Sequence, residues 1–141
     1  MRMVALVFVA ALLGQPRGPY TGDWTADYQG TIYVRLSLSE KSGSPQGAMS
    51  VGKSIHVDDK GIVDRADEAP LTLRPLADVR RSGDVWSFSY ADADRDVSKF
   101  ELRLIDANSA ELALILSEEE RQQFAADKIP LLKPFRLKKS R

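Results

Sequence analysis

From Asp23 onward the chain alternates apolar and polar residues with a period of two. Ile32, Val34, Leu36 and Leu38 alternate with Tyr33, Arg35 and Ser37, the pattern of a strand with one buried face. Trp86, Phe88 and Tyr90 alternate with Ser87 and Ser89, and Phe100, Leu102 and Leu104 with Glu101 and Arg103. Leu112, Leu114 and Leu116 repeat the signal. A slip of one residue in any of these runs would turn its bulky set into water, so the register is well specified. With Met49 and Val51, these residues form the expected inward set.

Turn-forming residues fall between the runs at the spacing of an antiparallel meander. Lys41-Ser42-Gly43-Ser44-Pro45 precedes a strand over 47–51, and Gly52-Lys53 leads into one over 55–58. Asp59-Lys60-Gly61 ends that strand, Ser82-Gly83-Asp84 joins 77–81 to 85–90, and Asp106-Ala107-Asn108-Ser109 joins the last two long strands. Residues 64–70 read as the longest irregular connection. Pro75 has no N–H to give a ladder, so it marks an edge, a bulge or a loop.

One helix interrupts the strands. Ser117-Glu118-Glu119-Glu120 is a capping box, its three acids stand at the positive end of the helix dipole, and Pro130 stops the helix after Asp127 or Lys128. Phe124 and Ile129 are the side chains expected to seat it on the sheet. Phe135-Arg136-Leu137-Lys138 reads as a closing strand. The expected fold is all-β: a small antiparallel meander barrel of about eight strands, with one short helix near the C-terminus.

The first residues break this pattern. Met1-Arg2-Met3 is a short basic start, residues 4–13 are all apolar, and Gly14-Gln15-Pro16-Arg17-Gly18-Pro19 would end any helix. This is the layout of a cleavable secretory signal, and the run is too short to span a bilayer. A buried N-terminal strand is the weaker alternative, because Val and Phe dominate 4–9. Residues 1–18 are therefore read as a signal peptide, with Val9 and Ala11 fitting the cleavage rule and Pro16 and Gly18 fitting it less cleanly, and residues 19–141 as a single domain. Localisation follows: export to the periplasm or outside the cell, with no stable membrane span after cleavage.

Composition sets limits on function. Twenty Lys plus Arg balance twenty Asp plus Glu, and losing Arg2 and Arg17 with the signal leaves the remainder slightly acidic. That balance gives no electrostatic reason to expect nucleic acid or an anionic membrane as a partner. The basic tail 133–141 reads as a solvated end. No cysteine is present, which removes disulfides, thiolate nucleophiles and Cys-ligated metals. Nothing in the chain calls for a cofactor.

Gly22-Asp23-Trp24 resembles the G-x-W motif of the lipocalins and related calycin barrels. The whole chain also resembles small exported bacterial domains. The lipocalin resemblance implies a barrel whose Trp24 closes one end, with a basic residue of the last strand across the indole. Arg136 is the residue expected there, in a cation–π contact worth about 0.5 to 2 kcal/mol. The helix departs from the lipocalin pattern by preceding the last strand, and the chain is short for that family. Trp24 as a plain core anchor of the first strand is the competing reading.

Candidate chemistry is sparse. His56 is the only histidine, alternates with Ile55 and Val57, and has no G-x-S-x-G serine to activate, so it reads as a solvent-facing strand residue. Asp92, Asp94 and Asp96 begin like a calcium loop. Val97 then stands where the sharp-turn glycine belongs and Arg103 where the bidentate Glu would be, so a solvated turn is the favoured reading. Glu101 and Glu111 read as cross-strand partners of bases such as Arg103 rather than as a hydrolytic pair.

So many large inward side chains tend to fill a small barrel. If a cavity is present, Trp86, Phe88, Tyr90 and Phe100 are its expected lining and the 117–127 helix its expected lid. The leading functional expectation is a non-enzymatic binding module for a small apolar ligand or a protein partner. A structural or protein-interaction domain with a filled core and no ligand comes second, and a hydrolase third.

Overall fold

The structure is a computed structural model and describes residues 20–41 and 43–140. The expected signal peptide, residues 1–18, lies outside the described residues. Among the described residues, no helix is long and apolar enough to cross a membrane.

Among the described residues, eleven strands and one helix follow in order: β1 (Gly22–Tyr28), β2 (Thr31–Lys41), β3 (Ser44–Val51), β4 (Ile55–Val57), β5 (Val63–Ala66), β6 (Arg74–Pro75), β7 (Ala77–Ser82), β8 (Val85–Ala91), β9 (Val97–Asp106), β10 (Ser109–Ile115), α1 (Glu118–Ala126) and β11 (Phe135–Lys139). Nine strands make one antiparallel sheet in the order β6-β3-β2-β1-β11-β10-β9-β8-β7, and β4 and β5 make a separate hairpin. The two edge strands β6 and β7 are separated in sequence by Leu76 alone. One continuous segment thus pairs with β3 through Ala48↔Pro75 and Met49↔Arg74, then with β8 from Ala77↔Ser89 to Ser82↔Val85. Leu76 N–H itself donates to the Gly47 carbonyl at 2.8 Å. This bent segment nearly closes the sheet into a barrel. Counted as one stave, it leaves eight, each beside its sequence neighbour, with β11 returning to β1.

The expected all-β meander is therefore the observed fold. Most of the inward set is where alternation put it: Val34, Leu36, Leu38, Met49, Trp86, Phe88, Tyr90, Phe100, Leu102 and Leu112 are buried, and Val51, Leu104 and Leu114 pack partly buried against them. Trp24 and Trp86, with Leu36, Met49, Leu102, Leu112 and Leu137, are fully buried in the core. At 25 cal/mol per Å², each such side chain contributes about 1.5 to 3 kcal/mol against exposure.

Four local expectations are revised. Tyr33, expected on the outer face, is buried beside Val34. The ladder pairs Ala26 with Val34 but Asp27 with Ile32, so Tyr33 is the extra residue of a β-bulge, and the kink turns its ring edge-on to Phe135 at 5.4 Å. Residues 64–66 are not irregular: they belong to β5, held by pairing with β4 and by Asp67 N–H donating to the Ser54 carbonyl at 2.9 Å. Ser44 and Pro45 are already strand, tolerated at the outer end of β3 because β6 pairs only with Ala48 and Met49. Finally, α1 has its capping box, with Glu120 N–H on Ser117 Oγ at 3.1 Å and Ser117 N–H on Glu120 Oε1 at 2.9 Å. It buries no residue, however, and Ile129 is 46% exposed. The cap and local propensity hold this helix with little help from packing.

The barrel's two ends differ. At the end where β1 begins and β11 finishes, Tyr20 is a buried plug. Its ring tilts against Trp86 at 5.5 Å, its hydroxyl donates to the Asp84 carbonyl, and its own carbonyl accepts the Trp24 Nε1–H at 2.9 Å. The Arg81 guanidinium lies 5.6 Å from the Tyr20 ring centroid and pairs with Glu40 at 2.9 Å. At the other end, Ile55, Val63 and Ala66 of the β4–β5 hairpin pack on the core alongside Tyr28 and Leu132. Lys133 N–H donates to the Gly61 carbonyl at 2.9 Å, tying the hairpin tip to the approach to β11. Beside this hairpin the barrel end is left partly uncovered.

Candidate groove at the barrel rim

The site follows from the parity of β8 and β9. Trp86, Phe88 and Tyr90 share one face of β8, and the ladder sets them against Leu102, Phe100 and Ser98 of β9. Going along β8 from the plugged end, exposure rises from 0% at Trp86 through 3% at Phe88 to 8% at Tyr90. Trp86 touches Tyr20, and Phe88 stacks on Phe100 with ring centroids 6.0 Å apart. Of the four aromatics expected to line a cavity, Tyr90 and Phe100 line an open space among the described residues. Trp86 and Phe88 are core.

That space is a groove of about 800 Å³ at the rim, between the β3 exit with β6 on one side and the β8–β9 turn on the other. Tyr90, Phe100, Val51 and Leu73 supply apolar surface, and Ser50 and Ser98 supply hydroxyls. Ser50 is already committed, donating to the Pro70 carbonyl at 2.6 Å, which pins the 67–70 segment outside β3. Arg35 does the same from β2, with Nε on the Ala69 carbonyl at 3.2 Å and a guanidinium nitrogen on Glu68 at 3.1 Å. The α1 helix, expected as a lid, contributes nothing to the groove lining.

Charge is divided across the groove. Lys53 and Arg74 come from the β3–β6 side, and Asp92, Asp94 and Asp96 from the β8–β9 turn. The turn is built by Asp92: one of its carboxylate oxygens accepts the N–H groups of Asp94 at 2.8 Å and Asp96 at 3.0 Å. Arg95 takes a left-handed φ of 67° to close it. The three aspartates thus form a structured turn, and among the described residues no group of three or more acids and histidines is placed to hold a metal ion. Burial raises the Tyr90 phenol above the ordinary value of 10.0. Arg74 pulls the other way, Asp92 adds to the rise, and the Val51 backbone opposes it. Arg74 and Asp92 thus both act on the floor of the groove.

The other sequence candidates lie elsewhere. His56 Nδ1 and Asp64 Oδ1 meet at 2.5 Å on the exposed face of the β4–β5 hairpin, outside the groove lining. Glu111 faces Arg103 across one ladder and Arg136 across the next, forming an outer row of alternating charge, whereas Glu101 faces Ala113. Arg136 is exposed, 3.8 Å from Glu111, and does not cover Trp24. The cation over the indole is Lys139, with Nζ 5.5 Å from the ring centroid. Parity explains the substitution: Arg136 alternates with inward Phe135 and Leu137, so it must face out, and Lys139 lies two residues beyond Leu137. Lys53 and Arg74 carried no signal of their own, because what sets them opposite the aspartates is barrel closure.

No family model, no curated protein and no solved structure matches the chain.

Proposed function

We propose that this chain is an exported, non-enzymatic binding module that takes a small ligand at the barrel rim rather than in its interior. The groove of about 800 Å³ floored by Tyr90 and Phe100 carries the reading. Its volume falls within the range of about 300 to 1,000 Å³ typical of small-molecule sites, and two aromatic surfaces beside a few polar groups are the usual lining. Export rests on the basic start, apolar run and Pro/Gly break of residues 1–18. The single histidine, engaged with Asp64 away from the groove, favours binding over hydrolysis.

Native mass spectrometry of the purified protein, together with titration of an apolar fluorescent dye, tests this. A co-purifying small molecule, or dye binding that Ser98→Trp abolishes by filling the groove, is the expected result. No retained molecule and no dye binding would overturn the reading.

A filled interior with a protein partner is the second reading. The observation favouring it is that Ile62, Ile129 and Leu131 are each about half exposed, with the Gly61 backbone against that of Leu131.

A further inference from the structure

We infer that the rim groove selects a zwitterion with an apolar body, such as a short aromatic peptide with both ends free. The inference rests on the binding reading above and specifies the ligand's chemistry.

The two sides of the groove differ in sign. On the β3–β6 side stand Lys53 and Arg74, and the one acid there, Glu68, is neutralised by Arg35 at 3.1 Å. On the turn side stand Asp92, Asp94 and Asp96. Asp92 spends one oxygen on the turn, whereas Asp94 and Asp96 are exposed. Tyr90 and Phe100 line the same groove with a small exposed part of each side chain. A ligand with charge of one sign meets one favourable and one unfavourable side. A ligand carrying both, separated by an apolar body, satisfies each side and covers the aromatics. Because the walls are solvated, each end contributes modestly, about threefold in affinity, and both together about tenfold.

Diphenylalanine in four forms keeps the body fixed while changing the ends: both free, N-acetylated, C-amidated, and both blocked. Titrated calorimetrically into the full-length protein, the free form is expected to bind about tenfold tighter than the doubly blocked form, with the two singly charged forms between. The preference should shrink as salt is raised. Arg74→Glu should abolish the advantage of the free carboxylate and leave that of the free amine. The double variant Asp94→Lys, Asp96→Lys should do the reverse. These side chains are exposed, so melting temperatures should stay near that of the parent.

Equal binding of all four forms, or tightest binding of a singly charged form, overturns the charge inference and leaves the groove reading standing. So does failure of all four while an apolar dye still binds and is lost in Ser98→Trp. Failure of the peptides and of the dye together overturns the binding reading itself.

Discussion

Lys139 stands directly opposite Trp24 in the β1–β11 ladder, and its ammonium lies 5.5 Å from the indole centroid. The contact joins the first strand of the barrel to the last, at the end plugged by Tyr20. Trp24 is the fully buried partner, and the Lys139 ammonium lies over its ring.

Replacing Lys139 by Met keeps the stem and removes the charge, so unfolding free energy should fall by about 0.5 to 1 kcal/mol. Arg136→Met, on the outer face with Glu111 at 3.8 Å, should stay within about 0.5 kcal/mol of the parent. Urea denaturation of the two variants makes the comparison. Equal losses would mean that the indole contact contributes nothing particular.

This pair also shows where sequence reading succeeds and where it stops. Unbroken alternation in β8, β9 and β10 was enough to orient nearly every inward residue, because a half-buried strand has only two faces. The same rule identifies Lys139 once Phe135 and Leu137 are taken as inward, and the lipocalin-like expectation at Arg136 ran against it. Tyr33 was not legible, since its bulge is a mismatch between two strands and leaves no mark on either alone. Val63-Asp64-Arg65-Ala66 is a strand only because β4 pairs with it. The groove was half visible: Tyr90 and Phe100 followed from parity, and Asp92, Asp94 and Asp96 were evident as a turn. That Arg74 and Lys53 face them depends on one segment bridging β3 and β8, a long-range event with no local trace.

The two tryptophans should respond differently to the same substitution. Both are fully buried, but Trp24 Nε1 donates to the Tyr20 carbonyl, whereas Trp86 Nε1 is buried with no hydrogen-bond partner among the described residues. Trp→Phe removes similar packing at each. At position 24 it also strands an acceptor, and at 86 it removes an unpaired donor. Trp24→Phe is therefore expected to destabilise by about 1 to 3 kcal/mol more than Trp86→Phe in chemical denaturation. A larger loss at position 86 would count against this account of the plug.

Gly61 holds the β4–β5 hairpin to the chain leading into β11. Its φ is +81°, and an added Cβ would collide with the Leu131 carbonyl oxygen. Gly61→Ala should therefore cost about 2 kcal/mol or more, with hydrogen exchange rising first in the hairpin. Gly30 is the control: its φ is +87° with open space around the missing Cβ, so Ala there should cost about 1 kcal/mol. Matching losses at the two positions would show that backbone conformation, not the Leu131 approach, sets the penalty.

Alkaline pH should weaken the fold through its buried tyrosines. Burial is the leading cause raising Tyr20, Tyr33 and Tyr90 above the ordinary value of 10.0. Asp27 adds to the rise at Tyr33, while the Leu104 N–H on the hydroxyl opposes it at Tyr20. In the unfolded chain these phenols ionise near their ordinary value, and in the folded chain they hold their protons to higher pH. Their contribution is thus fully present below about pH 10 and is lost as pH rises through the folded values. Urea midpoints measured between pH 8 and 11.5 should be flat at first and then fall. Tyr33→Phe removes one such group, so its curve should fall less steeply above pH 10 than the parent's. Parallel curves would show that Tyr33 plays no part in the alkaline transition.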